Sequence, residues 1–478
     1  MSNSESSFGS KLLKSFLGFS MGTWINAAVG FLLTPVITRI IPRGDLGRVD
    51  LFITFCGLFI YASTLGMHQS YMRYYNNPPT GFTKDSLFAF STHITAIGGL
   101  LCGAIAFIGY SYFSRSVLGE KTLFIPLMML LYILSFGFLD VVKTKPRMEG
   151  NIGEYTIISV LSGLLTRLSY LTYYFTHSVP TTILSIVLLY AVMALMYFAI
   201  NRHSILISTI HISNASKIEL FQYALPMVAV MFISNTNSSI PKFFMNEYLT
   251  KDDIGLYTGA LSLVSIITLV QSGVNIFWAP YVYANFQKKQ REIQSVHLMI
   301  AFGMVFCALG ILLFQDIIYL LLGQSYRGSR VFYAFMLASP IFYTIGETLG
   351  IGINIGKKTY LNMVIVAVTL LSNVCFSLFL VPTLGNIGAA VSVFASAAVM
   401  LFLKAVIGER YYCTIRSPFK SWCAPVLYAA TAVISSVFTN APVIRSGLII
   451  LTMVLLAAVY QEEVRAIYTQ ARQMIKPS

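Results

Sequence analysis

An all-α integral membrane protein of about 14 transmembrane helices is what this sequence predicts, and three observations lead there. Of its 478 residues 56% are apolar and only 10% are charged, where an average soluble domain has about 25% charged. The mean hydropathy is +0.74. The apolar residues fall into fourteen stretches, most near the ~20 residues that a spanning helix needs. The same figures exclude a soluble globular chain. They also exclude disorder, which needs low hydrophobicity and high charge.

Taken in order, the first stretch is 16–38. It follows a polar start with Lys11 and Lys14 and is too long for the core of a cleavable signal, so it reads as a retained span. Spans two to six are read at 46–72, 86–112, 122–142, 155–176 and 182–200. Spans seven to twelve are read at 220–245, 254–279, 296–314, 331–353, 360–381 and 387–407. A shorter pair, 422–438 and 446–460, completes the set. The longest connections on the side of the N-terminus, near 202–219 and 409–421, are too short to fold as a catalytic domain. The chemistry is therefore expected within the bilayer.

The net charge is +14, from 32 Lys+Arg and 18 Asp+Glu. In a soluble protein that balance would point to nucleic acid. In a membrane protein it reflects Lys and Arg collecting on the cytoplasmic side. With the N-terminus inside and loops alternating, twenty basic residues lie inside and ten outside, with Arg167 and Lys404 within spans. That bias predicts that both termini are cytoplasmic. No nucleic-acid partner is expected.

Two echoes suggest a duplication. Asp45-Leu46-Gly47 matches Asp253-Ile254-Gly255 at an offset of 208, with Arg43 matching Lys251 in register. Residues 151–155 resemble 356–360 at an offset of 205. Six spans separate each pair. The expected organisation is a six-helix bundle at 1–205, a parallel six-helix bundle at 206–408, and an extra helix pair with a cytoplasmic tail at 409–478. Parallel repeats of this kind place a substrate site between the halves near the midplane and expose it to each face in turn.

Several motifs carry a family likeness. Thr34-Pro35, Arg39, Asp45-Leu46-Gly47, and Gly66 followed by Arg73-Tyr74-Tyr75 occupy the first hairpin. Arg147-Met148-Glu149-Gly150 precedes Tyr155, Gly356-Lys357-Lys358-Thr359 precedes span eleven, and Pro382-Thr383-Leu384-Gly385-Asn386 precedes span twelve. In order and spacing these motifs resemble the O-antigen and polysaccharide flippases of the multidrug/oligosaccharidyl-lipid/polysaccharide (MOP) exporter superfamily, across spans one to twelve. The resemblance implies movement of isoprenoid-pyrophosphate-linked oligosaccharide across the bacterial cytoplasmic membrane, for cell-surface polysaccharide biosynthesis. The partners it implies are the polyprenyl-linked oligosaccharide and membrane lipids, with polysaccharide polymerase and glycosyltransferases as candidate neighbours. Many members carry an Asp-Arg pair late in span seven, where this chain has Pro241-Lys242. The cation survives there and the adjacent acid does not.

A pyrophosphate needs cations, and the forked guanidinium suits it. Arg167 is thirteenth in its stretch, and a mid-bilayer charge costs at least ~2.5–3.5 kcal/mol on insertion scales. It is read as a cavity cation facing water between the halves, or as a structural partner of a carbonyl or acid. Lys242, beyond the polar run Asn235-Thr236-Asn237-Ser238-Ser239, is read as a second cation or a snorkelling anchor. Asn26, Asn235 and Asn237 are candidate cavity-lining groups, with an interhelical hydrogen bond as Asn26's other reading. Gln271 and Asn275, one turn apart, are candidate sugar ligands. Arg39, Arg48 and Arg73 are candidate head-group contacts or interfacial anchors, and Glu347 pairs with a base or carries a coupling proton.

Asp50 and Asp140 read as solvated residues near interfaces, and His68 and His93 as polar packing groups. The six cysteines show no metal-ligand spacing and read mainly as apolar filler. No metal or cofactor is expected. No Gly-rich run ends in Gly-Lys-Ser or Gly-Lys-Thr, so direct ATP hydrolysis is not expected. The rival readings are an ion-coupled multidrug exporter of the same superfamily, which would carry a deep acidic cluster, and an integral-membrane glycosyltransferase, which would carry a large outer loop.

Overall fold

A computed structural model describes residues 2–209 and 211–465; of these, the side chains of 2–20, 229, 230, 234 and 276 are not described. The basic tail residues Arg472 and Lys476 counted above lie outside the described residues. Regular structure among the described residues is helical throughout. Among the described residues eleven helices are long and apolar enough to cross a membrane, which makes this a multi-pass membrane protein.

The chain divides into two compact units. One holds Met1–Lys242 with Thr250–Gly255, and the other Phe243–Leu249 with Leu256–Ser478. The first contains α1 (Ser2–Ile40), α2 (Arg43–Ser63), α3 (Met67–Tyr74), α4 (Lys84–Ile108), α5 (Tyr110–Leu118) and α6 (Phe124–Val142). After these come α7 (Thr144–Glu149), α8 (Ile152–Ser169), α9 (Thr172–Thr176), α10 (Val179–Ile205) and most of α11 (Asn214–Tyr248). The division falls later than the sequence boundary at 205/206 because α11 is tied to this unit. The Ser70 hydroxyl donates to the Leu220 carbonyl at 2.8 Å. Gly66, at φ +67°, lets the α2–α3 turn approach the backbone at Ala224, where a Cβ would come within 2.6 Å of the carbonyl oxygen.

The two echo motifs meet within this unit. A Cβ on Gly47 would collide with the Lys251 carbonyl, and a Cβ on Gly255 would collide with the Arg43 carbonyl. Gly47 and Gly255 are 208 residues apart, as are Arg43 and Lys251, so the offset of the motifs exchanges one contact for the other. The start of α2 and residues 251–255 therefore pack reciprocally, backbone on backbone. Small residues at both crossing points are what allow it.

The second unit contains most of α12 (Lys251–Asn285), then α13 (Gln290–Leu313), α14 (Gln315–Leu321), α15 (Arg330–Ile355), α16 (Tyr360–Glu409), α17 (Pro418–Val437) and α18 (Pro442–Val459). The 50-residue α16 is not one rod: Gly385 has φ 58°, ψ −133°. Gly388 packs directly on the Leu380 carbonyl, although eight residues of straight helix would span about 12 Å. The segment is a tight hairpin at Pro382–Gly388, and the sequence-read spans eleven and twelve are its two arms.

Polar pairs tie this unit together. The fully buried Arg445 of α18 binds Asp316 of α14, which also pairs with Arg330 at 3.3 Å. The buried His297 of α13 bonds the Thr348 hydroxyl of α15 at 2.8 Å and the Ser421 hydroxyl of α17 at 3.3 Å. The extra C-terminal helices are thus fastened to the rest of the unit by groups that lipid would not solvate.

Candidate substrate and ion sites

Arg167 is set by an interruption that the sequence reading did not foresee. The stretch 155–176 is not one continuous helix. It ends as α8 at Ser169 and resumes as the short α9 at Thr172, so Arg167 occupies the last turn of α8. The carboxyl end of a helix dipole favours a cation. The residue is half-buried, and its guanidinium lies over Gly30 of α1, where a Cβ would stand 3.4 Å from Nη2. The ion pairs among the described residues do not include Arg167. The nearby buried Tyr170 lies within electrostatic reach of both Arg167 and Asp50.

Asp50 requires a correction. It is not solvated: Lys242 Nζ lies 2.6 Å from its Oδ2, and the two side chains are only 9% and 12% exposed. The acid absent beside Lys242 in sequence is supplied from α2. Because α2 begins at Arg43, Asp50 lies about two turns inside the helix, deeper than its place near the start of the 46–72 stretch suggested.

The polar run on α11 is largely bonded within its own helix. Asn235 Nδ2 donates to the Met231 carbonyl at 2.8 Å. The Ser238 hydroxyl donates to the Asn235 carbonyl at 2.8 Å. Asn237 is half-buried and Thr236 Oγ1 is a buried oxygen with no partner among the described residues. Asn26 Nδ2 donates to the Ser159 carbonyl at 2.8 Å, the interhelical bond foreseen for it. Its Oδ1 is buried and unpartnered among the described residues.

The remaining candidates are spread more widely. Arg39 and Arg73 are exposed, the latter 5.7 Å from the Tyr74 ring centre. Arg48 pairs with Asp45 at 3.7 Å, which also accepts from the Tyr173 hydroxyl. Gln271 is half-buried and Asn275 exposed on α12, in the second unit. Glu347 is bound by Lys404. The Lys404 stem lies along α15 where Gly346 and Gly350 leave room for it, so both intramembrane charges have a use in packing.

Asp140 is the second correction. It binds Lys143 at the C-terminal end of α6, and its side chain is 12% exposed. His68 Nδ1 lies 3.8 Å from its other oxygen. Asp140 and Lys143 line a cavity of about 220 Å³ with Asn26, Tyr155, Ser159 and Tyr190. In sequence the Asp-to-Lys spacing was visible but also fits an ordinary surface pair. The approach of His68 from a separate helix gave no signal.

The fold is one seen before in solved membrane transporters. The chain superposes on the lipid II flippase MurJ in an inward closed conformation with a TM-score of 0.71 at 12% identity, covering 93% of this chain and 99% of that one. An inward-facing multidrug resistance MATE family transporter of the MOP superfamily gives 0.58 at 17% identity, covering 81% and 94%. Among curated proteins, the chain is 22% identical to the capsular polysaccharide biosynthesis protein CapF of Staphylococcus aureus, covering 82% of this chain and 97% of that one. It is 20% identical to the Lsg locus protein 1 of Haemophilus influenzae, covering 79% and 95%. No protein-family model matches. The resemblance read from the sequence motifs is borne out by these relatives and by the fold.

Proposed function

We propose that this protein is a flippase that carries isoprenoid-pyrophosphate-linked oligosaccharide across the bacterial cytoplasmic membrane, exposing its site alternately to the two faces, for cell-surface polysaccharide biosynthesis. It acts as a transporter and not as an enzyme, with both termini in the cytoplasm. Its substrate is handed on to polymerising or glycosyl-transferring partners. The observation that carries the reading is Arg167, a half-buried guanidinium without an ion-pair partner among the described residues, in a chain that has the MurJ-like fold. Such a charge is costly to insert, and an anionic head group repays that cost only when it is bound. A cationic drug would be repelled by it, which sets the multidrug-export reading second.

Arg167 therefore differs from a structural charge in its expected mutant behaviour. Arg167→Gln removes a desolvated charge without leaving a carboxylate behind, so membrane-inserted protein and thermal stability are expected to hold or rise. Flipping per molecule is expected to fall by about tenfold or more, since a charge-assisted contact is worth on the order of 1.5–3 kcal/mol. Arg167→Lys keeps the charge but loses the fork, and an intermediate rate is expected. The measurement is leaflet-resolved detection of lipid-linked oligosaccharide, normalised to inserted protein. An Arg167→Gln variant that is unstable yet fully active per molecule would contradict the assignment.

A further inference from the structure

We propose that His68, Asp140 and Lys143 form a proton-binding site behind the cavity of the first unit, and that its loading drives the conformational cycle. The work assigned to the proton rests on the flippase reading; the binding site itself does not.

The cluster is built from separate helices around one carboxylate. Lys143 holds one oxygen of Asp140, and His68 Nδ1 faces the other at 3.8 Å. That gap is too long for a hydrogen bond. His68 is only 4% exposed, and both of its ring nitrogens are buried with no hydrogen-bond partner among the described residues. Leaving a buried polar group unsatisfied is costly. The imidazole is thus held beside a carboxylate it does not yet bond.

Adding a proton closes that gap. A proton arriving on cavity water passes to the Asp140 carboxylate and then to His68 Nδ1. The ring becomes an imidazolium that donates a charge-assisted hydrogen bond to the regenerated carboxylate. Release reverses the same two transfers, and no redox partner is needed. The cavity volume of about 220 Å³ leaves room for water beside Asp140.

The surroundings favour a proton over a metal cation. Lys143 already places an ammonium on the carboxylate, and a second full cation there would meet like charge. No group of three or more His, Cys, Asp or Glu that would hold a metal occurs among the described residues. The other titratable groups facing the cluster are phenols, not charged side chains: Tyr61 of α2, Tyr155 of α8 and Tyr190 of α10. The neighbouring charges are occupied elsewhere. Lys145 of α7 pairs with Asp85 of α4 at 3.7 Å, Arg147 of α7 lies 5.9 Å from the Tyr155 ring centre, and Glu149 is exposed. Histidine is suited to the role because its ordinary titration falls between about pH 5 and 8.

The test uses full-length purified protein and two neutral variants. His68→Gln removes the titrating ring. Asp140→Asn with Lys143→Met removes the ion pair as a unit and leaves no orphan charge, which protects folding if the single variant proves unstable. Proton uptake is measured with a pH dye on stepping from about pH 8 to about pH 5, the window in which histidine titrates. Both variants are expected to take up about one proton fewer per chain than the wild type. In proteoliposomes holding fluorescent polyprenyl-pyrophosphate glycan, a pH gradient is expected to accelerate leaflet transfer by the wild type and not by His68→Gln. Equal uptake by wild type and variants overturns the site. Reduced uptake in the variants, with wild-type transfer indifferent to the gradient, overturns the coupling. If the wild type transfers no glycan at any pH while the uptake difference persists, the flippase reading fails and the proton site stands.

Discussion

Lys242→Glu is expected to lower the amount of inserted protein by about tenfold and to unfold well below the wild type, because it sets two carboxylates face to face where an ion pair stood at 2.6 Å. Removing one partner of a buried pair costs about 3–5 kcal/mol, since the other charge is left desolvated. Adding a like charge increases that cost. Lys242→Gln is expected to be destabilising by the simpler route of stranding Asp50, and Lys242→Arg to be tolerated. The exchange Asp50→Lys with Lys242→Asp should restore most of the protein, because it returns opposite charges to the same place. The checks are membrane-inserted protein level, thermal unfolding in detergent, and flipping per molecule. A normally abundant and thermally stable Lys242→Glu would show that the pair contributes little. If the exchange restores protein without transport, the cation's position matters to the head group as well as to the fold, which is the role the sequence proposed for it.

The second large effect is expected at the glycine crossing. Gly47→Ala places a methyl group against the Lys251 carbonyl, and Gly255→Ala places one against the Arg43 carbonyl. Neither obstacle is the tip of a flexible side chain, so the segments must separate. Overpacking of this kind costs about 1–3 kcal/mol per substitution. The contact is reciprocal, so the first substitution opens the space that the second needs. The double variant is therefore expected to cost little more than either single one, a strong departure from additivity. Thermal unfolding of the four proteins closes the cycle. Additive losses would show that the two contacts are independent.

Much of the fold was legible because lipid imposes one rule on every span. A bilayer requires internally satisfied backbone, so long apolar stretches are helices, and the basic residues punctuate them. The hairpin arms 360–381 and 387–407 were readable for that reason despite a turn of only a few residues. The echo motifs were readable as repeated letters, but their meeting in space was not. Among site residues, Arg167 stood out because a lone charge in an apolar stretch is conspicuous in one dimension. The partners of Lys242 and Lys143 were harder. Asp50 sits nearly two hundred positions from Lys242, and nothing in composition or period joins residues across such a distance. His68 was passed over because an intramembrane histidine is usually a packing group; His297, with a hydroxyl on each ring nitrogen, behaves in that way, and His68 does not. The break at Tyr170–Leu171 left no glycine or proline as a marker, so α8 was read as longer than it is.

The turn at Pro382–Gly388 bears on how the protein is made. It contains no charged residue and brings the arms of α16 into backbone contact within a few residues. The two arms can therefore leave the translocation channel together as a closed pair, because no charge must be carried across the bilayer to complete the second crossing. Their orientation is then left to the flanking bases, Lys357 and Lys358 before the first arm and Arg410 after the second. The turn is correspondingly a poor place to insert a reporter, since a polar insertion would separate arms that enter the membrane as one body.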